Sequence, residues 1–84
     1  MVETILKVVK YDYERFYQEY VNFIYYKCER LKDGAIFVIP LFETQCLVVF
    51  TKNYDLLKYE VLEMTESQAK EKLYNEAFAQ LIAQ

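Results

Sequence analysis

Apolar and polar positions recur along the chain with two different periods, and the changes of period mark the predicted elements. After Asp12 the apolar positions recur every three or four residues, the spacing of one helix face. Asp12 is a suitable N-cap, and Asp33 with Gly34 supplies a stop and a left-handed exit. We therefore predict a helix from Asp12 to about Lys32. Its buried arc would hold Tyr13, Phe16, Tyr17, Tyr20, Val21, Phe23, Ile24, Cys28 and Leu31.

The segment before Asp12 fits two kinds of element. Its apolar positions, among them Ile5 and Val9, share one helix face, yet the β-branched content of VETILKVV favours a strand. We predict a strand over residues 2–10. The alternative is a helix that joins the next one as a single long helix to residue 32.

Three β-rich runs follow Gly34. AIFVIPLF and CLVVF, separated by a short turn at Glu43-Thr44-Gln45, predict a hairpin. Pro40 lacks an N–H for the ladder, which predicts an outward-facing edge position or a bulge. After the turn at Lys52-Asn53-Tyr54-Asp55, LLKYEVLEM predicts a third strand. Its alternation places Leu57, Tyr59 and Val61 on one side and Lys58 and Glu60 on the other.

A last helix begins at a capping box, Thr65-Glu66-Ser67-Gln68, and is predicted to run to about Ile82. The element order is then (β)-α-β-β-β-α over residues 1–84. We predict one small α+β domain, with a three- or four-stranded antiparallel sheet packed with two helices. The inward positions of the last helix would be Ala69, Leu73, Tyr74, Ala77, Phe78 and Leu81.

The two hairpin strands are apolar at odd and even positions alike, so both sheet faces need cover. Helices on both sides would provide it. If both helices lie on one face, a second copy of the chain covers the other, and we predict a homodimer on that basis. The tyrosines at 25 and 26 fall outside the helix arc, which also favours an interface. The candidate interface residues are Tyr25, Tyr26, Phe37, Ile39, Val48 and Phe50.

The amino-acid composition excludes several common kinds of catalytic and ligand-binding site. The 84-residue chain is 55% hydrophobic, contains no histidine and contains one glycine. The missing histidine removes the commonest general base and zinc ligand, and one glycine excludes the glycine-rich phosphate loops. We predict no enzymatic activity, no catalytic or metal site, no cofactor and no small-molecule substrate.

Charge and cysteine usage bear on partners and location. The net charge of −3 opposes phosphate backbones, so nucleic acid is an unexpected partner. Two cysteines inside apolar runs predict buried reduced thiols. The charged N-terminal segment is unlike a signal peptide, and charge-free runs are too short for a membrane span. We predict a cytoplasmic protein with no membrane association.

The α-β-β-β-α order and the alanine- and lysine-containing SQAKEKLYNEAFAQL are similar to a double-stranded-RNA-binding domain. That resemblance implies an RNA-binding role, with Lys70 and Lys72 near the expected phosphate contacts. However, the helix opens MTESQ where that family has a cluster of lysines, and the family's loop histidine has no counterpart. Rings on the sheet could also stack on bases, and Phe37, Phe50, Tyr54 and Tyr59 are the candidates.

The function predicted first is therefore a small protein–protein interaction or regulatory module that self-associates, with another protein as a possible partner. The alternative is a nucleic-acid-binding module, whose complex would weaken with salt and on loss of Lys52, Lys58 or Lys70.

Overall fold

The computed structural model of the chain describes the backbone of residues 1–28 and 34–73 and the side chains of residues 1–24 and 34–73. Within these residues three helices accompany one four-stranded antiparallel sheet whose strands lie side by side in the order of the chain. This confirms the α+β class and a four-stranded antiparallel sheet. The elements are α1 Val2–Tyr11, α2 Tyr13–Tyr20, a 3-10 turn Val21–Phe23, β1 Ile24–Cys28, β2 Gly34–Phe42, β3 Gln45–Lys52, β4 Asp55–Leu62, and α3, described over 66–73.

The first segment is helix α1, so the prediction of a strand over residues 2–10 is wrong. Ile5 and Val9, one helical turn apart, are both buried beneath the sheet. Their packing outweighs the strand preference of the β-branched residues. Asp12 separates α1 from α2: its backbone N–H donates to Val8 O at 2.7 Å, and its carboxylate accepts from Arg15 N at 3.2 Å. The predicted N-cap is confirmed, and the two helices are not continuous.

The prediction of a helix running to Lys32 is also wrong. Helix α2 ends at Tyr20, and the chain passes through the 3-10 turn into β1. The β-branched and aromatic run from Ile24 gains a sheet partner by this change, because Ile24 pairs with Phe37 of β2. Gly34 pairs with Cys28 and does not have the predicted left-handed φ. Leu31, Lys32 and Asp33 lie outside the described residues.

The hairpin of β2 and β3 is confirmed, and it forms the centre of the sheet. Its register runs from Ala35 opposite Thr51 to Pro40 opposite Cys46, and then shifts between Pro40 and Phe42. Pro40 is exposed and adjoins this bulge, as its missing N–H predicts.

Alternation along the hairpin divides its side chains between two buried clusters, one on each sheet face. The N-terminal face, covered by α1 and α2, includes Ala35, Phe37, Ile39, Leu47 and Val49. The C-terminal face, covered by Ala69 and Leu73 of α3, includes Ile36, Val38, Cys46, Val48 and Phe50. The arrangement with helices on both sides is therefore the observed one.

Strand β4 contains a bulge that the alternating sequence pattern does not show. Phe50 pairs with Lys58 but its neighbour Thr51 pairs with Leu56, which leaves Leu57 as the extra residue. Leu57 consequently packs on the C-terminal face, whereas Tyr59 pairs with Val49 of the N-terminal face. The predicted shared side for Leu57, Tyr59 and Val61 is wrong at Leu57.

Helix α3 begins at the predicted capping box. Thr65 N donates to Gln68 Oε1 at 3.1 Å, and Gln68 N donates to Thr65 Oγ1 at 3.3 Å. Each side chain thus satisfies a backbone donor that the first helical turn leaves without an intrahelical partner. Ala69 and Leu73 are buried as predicted. The predicted positions from Tyr74 onward lie outside the described residues.

Candidate protein interaction surface

Four predicted interface residues lie in the core of the single chain. The exposed fractions of Phe37, Ile39, Val48 and Phe50 are 0%, 4%, 0% and 1%. They are packed beneath the helices, so they present no surface to a partner, and neither phenylalanine is available to stack on a base. The premise that one apolar sheet face stands open does not hold for these strands.

The other two predicted interface residues, Tyr25 and Tyr26, lie on strand β1 instead of a helix. The register shifts between Ile24 and Tyr26, so Tyr25 is the extra residue of a bulge, and Tyr26 pairs with Ile36. Their side chains lie outside the described part of the structure. Their role in an interface therefore stays a prediction.

Exposed apolar side chains collect at the other edge of the sheet. Tyr54 in the β3–β4 turn is 58% exposed, and Tyr59 and Val61 on β4 are 50% and 41% exposed. In the sheet as described, β4 has β3 as its one neighbour, so the outer side of β4 is an edge. We call Tyr54, Lys58, Tyr59, Glu60 and Val61 the edge surface.

The turn that leads into β4 holds the tyrosine in an unfavourable backbone conformation. Asn53 and Tyr54 have φ values of 56° and 66°, which correspond to the two central residues of a type I′ turn. Glycine suits the second of these positions, and a bulky side chain there is uncommon. The Tyr54 ring meets the Tyr13 ring edge-on, with centroids 5.5 Å apart. This contact offsets part of the backbone strain.

Replacing Tyr54 tests that strain. Tyr54→Gly and Tyr54→Ala both remove the ring, but only alanine retains a Cβ at positive φ. We expect the glycine variant to be more stable than the alanine variant by about 1 kcal/mol in urea unfolding. Equal stability of the two variants would show that the turn does not keep positive φ in solution.

The Tyr13 side chain is anchored to the sheet by the buried hydroxyl of Thr51. The Tyr13 hydroxyl lies 3.2 Å from Thr51 Oγ1, and Thr51 Oγ1 donates to Ala35 O at 3.4 Å. Thr51 is fully buried. The Tyr13–Tyr54 ring pair at the β3–β4 turn is thereby connected by hydrogen bonds to the central strands β2 and β3.

The two sides of β4 differ in chemistry. Tyr59 and Val61 pair with Val49 and Leu47, so they lie on the N-terminal face. Lys58 pairs with Phe50 on the C-terminal face, where its Nζ lies 4.7 Å from the centroid of the Phe50 ring. Glu60 shares that face through its pairing with Val48. The edge therefore carries apolar side chains on one face and one charge of each sign on the other.

A shallow groove at the α1–α2 corner is a weaker candidate site. Its volume is about 370 Å³, and its lining includes Lys7, Tyr11, Asp12 and Arg15, all of which are exposed. The Asp12 carboxylate is engaged in capping α2, and Arg15 Nε lies 4.0 Å from a Glu19 oxygen. Polar groups this solvated cannot fix a small ligand, because water competes for each hydrogen bond.

The described residues offer little for catalysis or metal binding. No group of three potential metal-ligating side chains occurs among them. Cys46 is fully buried, and its Sγ donates to Met64 O at 3.2 Å. Burial, with a smaller contribution from the Glu66 charge, raises the pKa of the Cys46 thiol above its ordinary value. A raised pKa lowers the fraction of thiolate at neutral pH, so this buried cysteine is poorly suited to act as a nucleophile.

Cys46 should consequently be inert in the folded protein. In a Cys28→Ser variant, which isolates Cys46, we expect a chromogenic disulfide reagent at pH 8 to react only as fast as the chain unfolds. Adding denaturant should release the full thiol. Rapid reaction without denaturant would contradict the buried position.

None of the helices in the described segments is long and apolar enough to cross a bilayer. Comparison with protein-family models, with curated proteins and with solved structures gives no match.

Proposed function

We propose that this protein is a small protein–protein interaction module, of the adaptor or regulatory kind, that self-associates through its edge surface. The observation that carries the proposal is the exposure of Tyr59 and Val61 on an edge strand, next to central strands β2 and β3 that are buried along most of their length. An exposed edge strand offers backbone N–H and C=O groups to another strand, and its side chains supply specificity.

The character of the exposed residues supports a protein partner. Tyrosine carries a large contact area with a polar tip and is enriched in protein interfaces. The ring of Tyr54 packs against Tyr13, so less side-chain freedom is lost when this ring contacts a partner. Buried Cys46, a free thiol, is compatible with a reducing cytoplasmic location, which is part of the proposal.

The nucleic-acid alternative has weaker support. Its predicted cations are dispersed: Lys58 lies over the Phe50 ring, and Lys70 Nζ pairs with Glu66 Oε1 at 2.8 Å on α3. A nucleic-acid site needs several cations along one track to replace counterions on the phosphates. The edge surface instead combines one lysine with one glutamate.

The proposal can be tested with a matched pair of tyrosine variants. We expect light scattering over a range of concentrations to show a dimer that Tyr59→Ser weakens about tenfold, since the lost ring contributes contact area at the interface. Tyr11→Ser is the control, because Tyr11 is 72% exposed but lies on α1. It should leave dimerisation unchanged. A protein that stays monomeric at every concentration, or equal effects of both substitutions, would overturn the proposal.

A further inference from the structure

We infer that two copies of the chain pair through their β4 strands, antiparallel, with Tyr59 opposite Tyr59 and Lys58 opposite Glu60 of the second copy. The inference rests on the proposed function and gives it a specific partner and register. Its basis is the order of charges along β4, where Lys58 and Glu60 lie two residues apart on one face with Tyr59 between them.

Symmetry makes this arrangement self-complementary. A two-fold axis perpendicular to the sheet leaves the N-terminal faces of the two copies on one side of the joined sheet and their C-terminal faces on the other. Residues directly opposite each other on antiparallel strands project from the same side. With the axis at Tyr59, each Lys58 lies opposite a Glu60, so the dimer contains two pairs of opposite charge. The two Tyr59 rings and the two Val61 side chains then lie on the N-terminal face, which α1 and α2 cover.

The same charges disfavour the neighbouring registers. Moving the axis to residue 58 places Lys58 against Lys58, and moving it to residue 60 places Glu60 against Glu60. Like charges directly opposite each other on a sheet are destabilising, whereas opposite charges stabilise the pair. Among symmetric pairings of β4, only the one centred on Tyr59 sets Lys58 against Glu60.

The bulge limits the extent of the pairing. Strand β4 keeps a regular register with β3 from Lys58 to Leu62. The bulge at Leu57, just before Lys58, shifts this register and bends the strand. The added ladder is therefore short, and its contact area belongs to the small, concentration-dependent class of interfaces. Reversible association suits a regulatory module better than a permanent dimer does.

The register can be tested in the full chain by reversing the charges at Lys58 and Glu60. Lys58→Glu alone and Glu60→Lys alone each set like charges against each other in a homodimer. We expect each variant to self-associate at least about tenfold more weakly than the wild type in sedimentation velocity. A mixture of the two variants should form a heterodimer as tight as the wild-type dimer, because both of its cross-strand pairs are opposite in charge. The double variant Lys58→Glu/Glu60→Lys should also dimerise.

The outcomes separate the register from the broader proposal. A wild-type dimer that the single substitutions leave unchanged would overturn the β4 register while leaving self-association intact. A mixture that stays monomeric, from variants that circular dichroism shows to be folded, would overturn it too. A wild-type protein that never dimerises would remove the proposed function together with this inference. Because Lys58 also lies over Phe50, the exposed Glu60→Lys variant keeps the test interpretable if Lys58→Glu fails to fold.

Discussion

Phe16→Ala should lower the free energy of unfolding by about 3–5 kcal/mol, as expected when a fully buried aromatic ring is replaced by a methyl group. Phe16 is 0% exposed, and its ring centroid lies 4.6 Å from that of Phe37 and 5.0 Å from that of Tyr20. Removing it opens a cavity between α2 and the N-terminal face. This loss is a large share of the total stability of a typical domain, which is about 5–15 kcal/mol.

The control for this prediction is Tyr11→Ala, which removes an exposed ring from the neighbouring helix. It should change the free energy of unfolding by no more than about 0.5 kcal/mol. Urea unfolding followed by far-ultraviolet circular dichroism measures both variants. Similar stabilities for the two would contradict the position of α2 against the sheet.

Leu73→Ala should cost about 2–4 kcal/mol for an equivalent reason on the opposite side of the sheet. Leu73 is 3% exposed and belongs to the cluster of Ile36, Val38 and Val48. The substitution tests whether α3 covers the C-terminal face, which is the feature that leaves Val48 and Phe50 without an exposed surface.

Lys72→Ala serves as the control on the same helix, because Lys72 is exposed. It should be nearly neutral. If Leu73→Ala were equally neutral, α3 would not be packed on the sheet, and a second copy of the chain would again be the natural cover for that face. Stability that rises with protein concentration would then accompany the result.

Local signals predicted the parts of the fold that depend on a few neighbouring residues. The caps at Asp12 and Thr65 are formed by side chains that reach backbone groups three residues away. The hairpin and the bulge near Pro40 likewise follow from composition and from a missing N–H. Such features need no knowledge of distant partners.

The features that could not be predicted from the sequence depend on pairing between strands that are distant along the chain. The run from Val21 to Cys28 suits a helical face in isolation, but its strand portion is stabilised by β2. Tyr25 and Tyr26, which do not fit the predicted helix arc, were the signal that this stretch is not helical. The bulge at Leu57 is a property of the β3–β4 register, so the alternation of β4 alone could not reveal it.

The candidate surface was only partly predictable for the same reason. Apolar residues on both hairpin faces correctly indicate that both need cover, but the sequence does not specify which elements supply it. Once α1, α2 and α3 cover the sheet, the large hydrophobic residues that stay exposed on the described strands are Phe42 at the end of β2 and Tyr59 and Val61 on β4, and Tyr54 is exposed in the β3–β4 turn. Tyr54 and Tyr59 are visible in the sequence as aromatic residues near a strand, yet their exposure follows from the edge position of β4.

Hydrogen exchange at low and high protein concentration would show whether β4 is the contact surface between two copies of the chain. We expect amides in peptides covering Asp55–Leu62 to exchange more slowly at high concentration, because strand pairing engages their outer N–H groups. Peptides covering Val2–Tyr11 of α1 should be unaffected and provide the internal reference. Protection that appears elsewhere, while β4 exchanges equally at both concentrations, would show that the copies associate through a different surface.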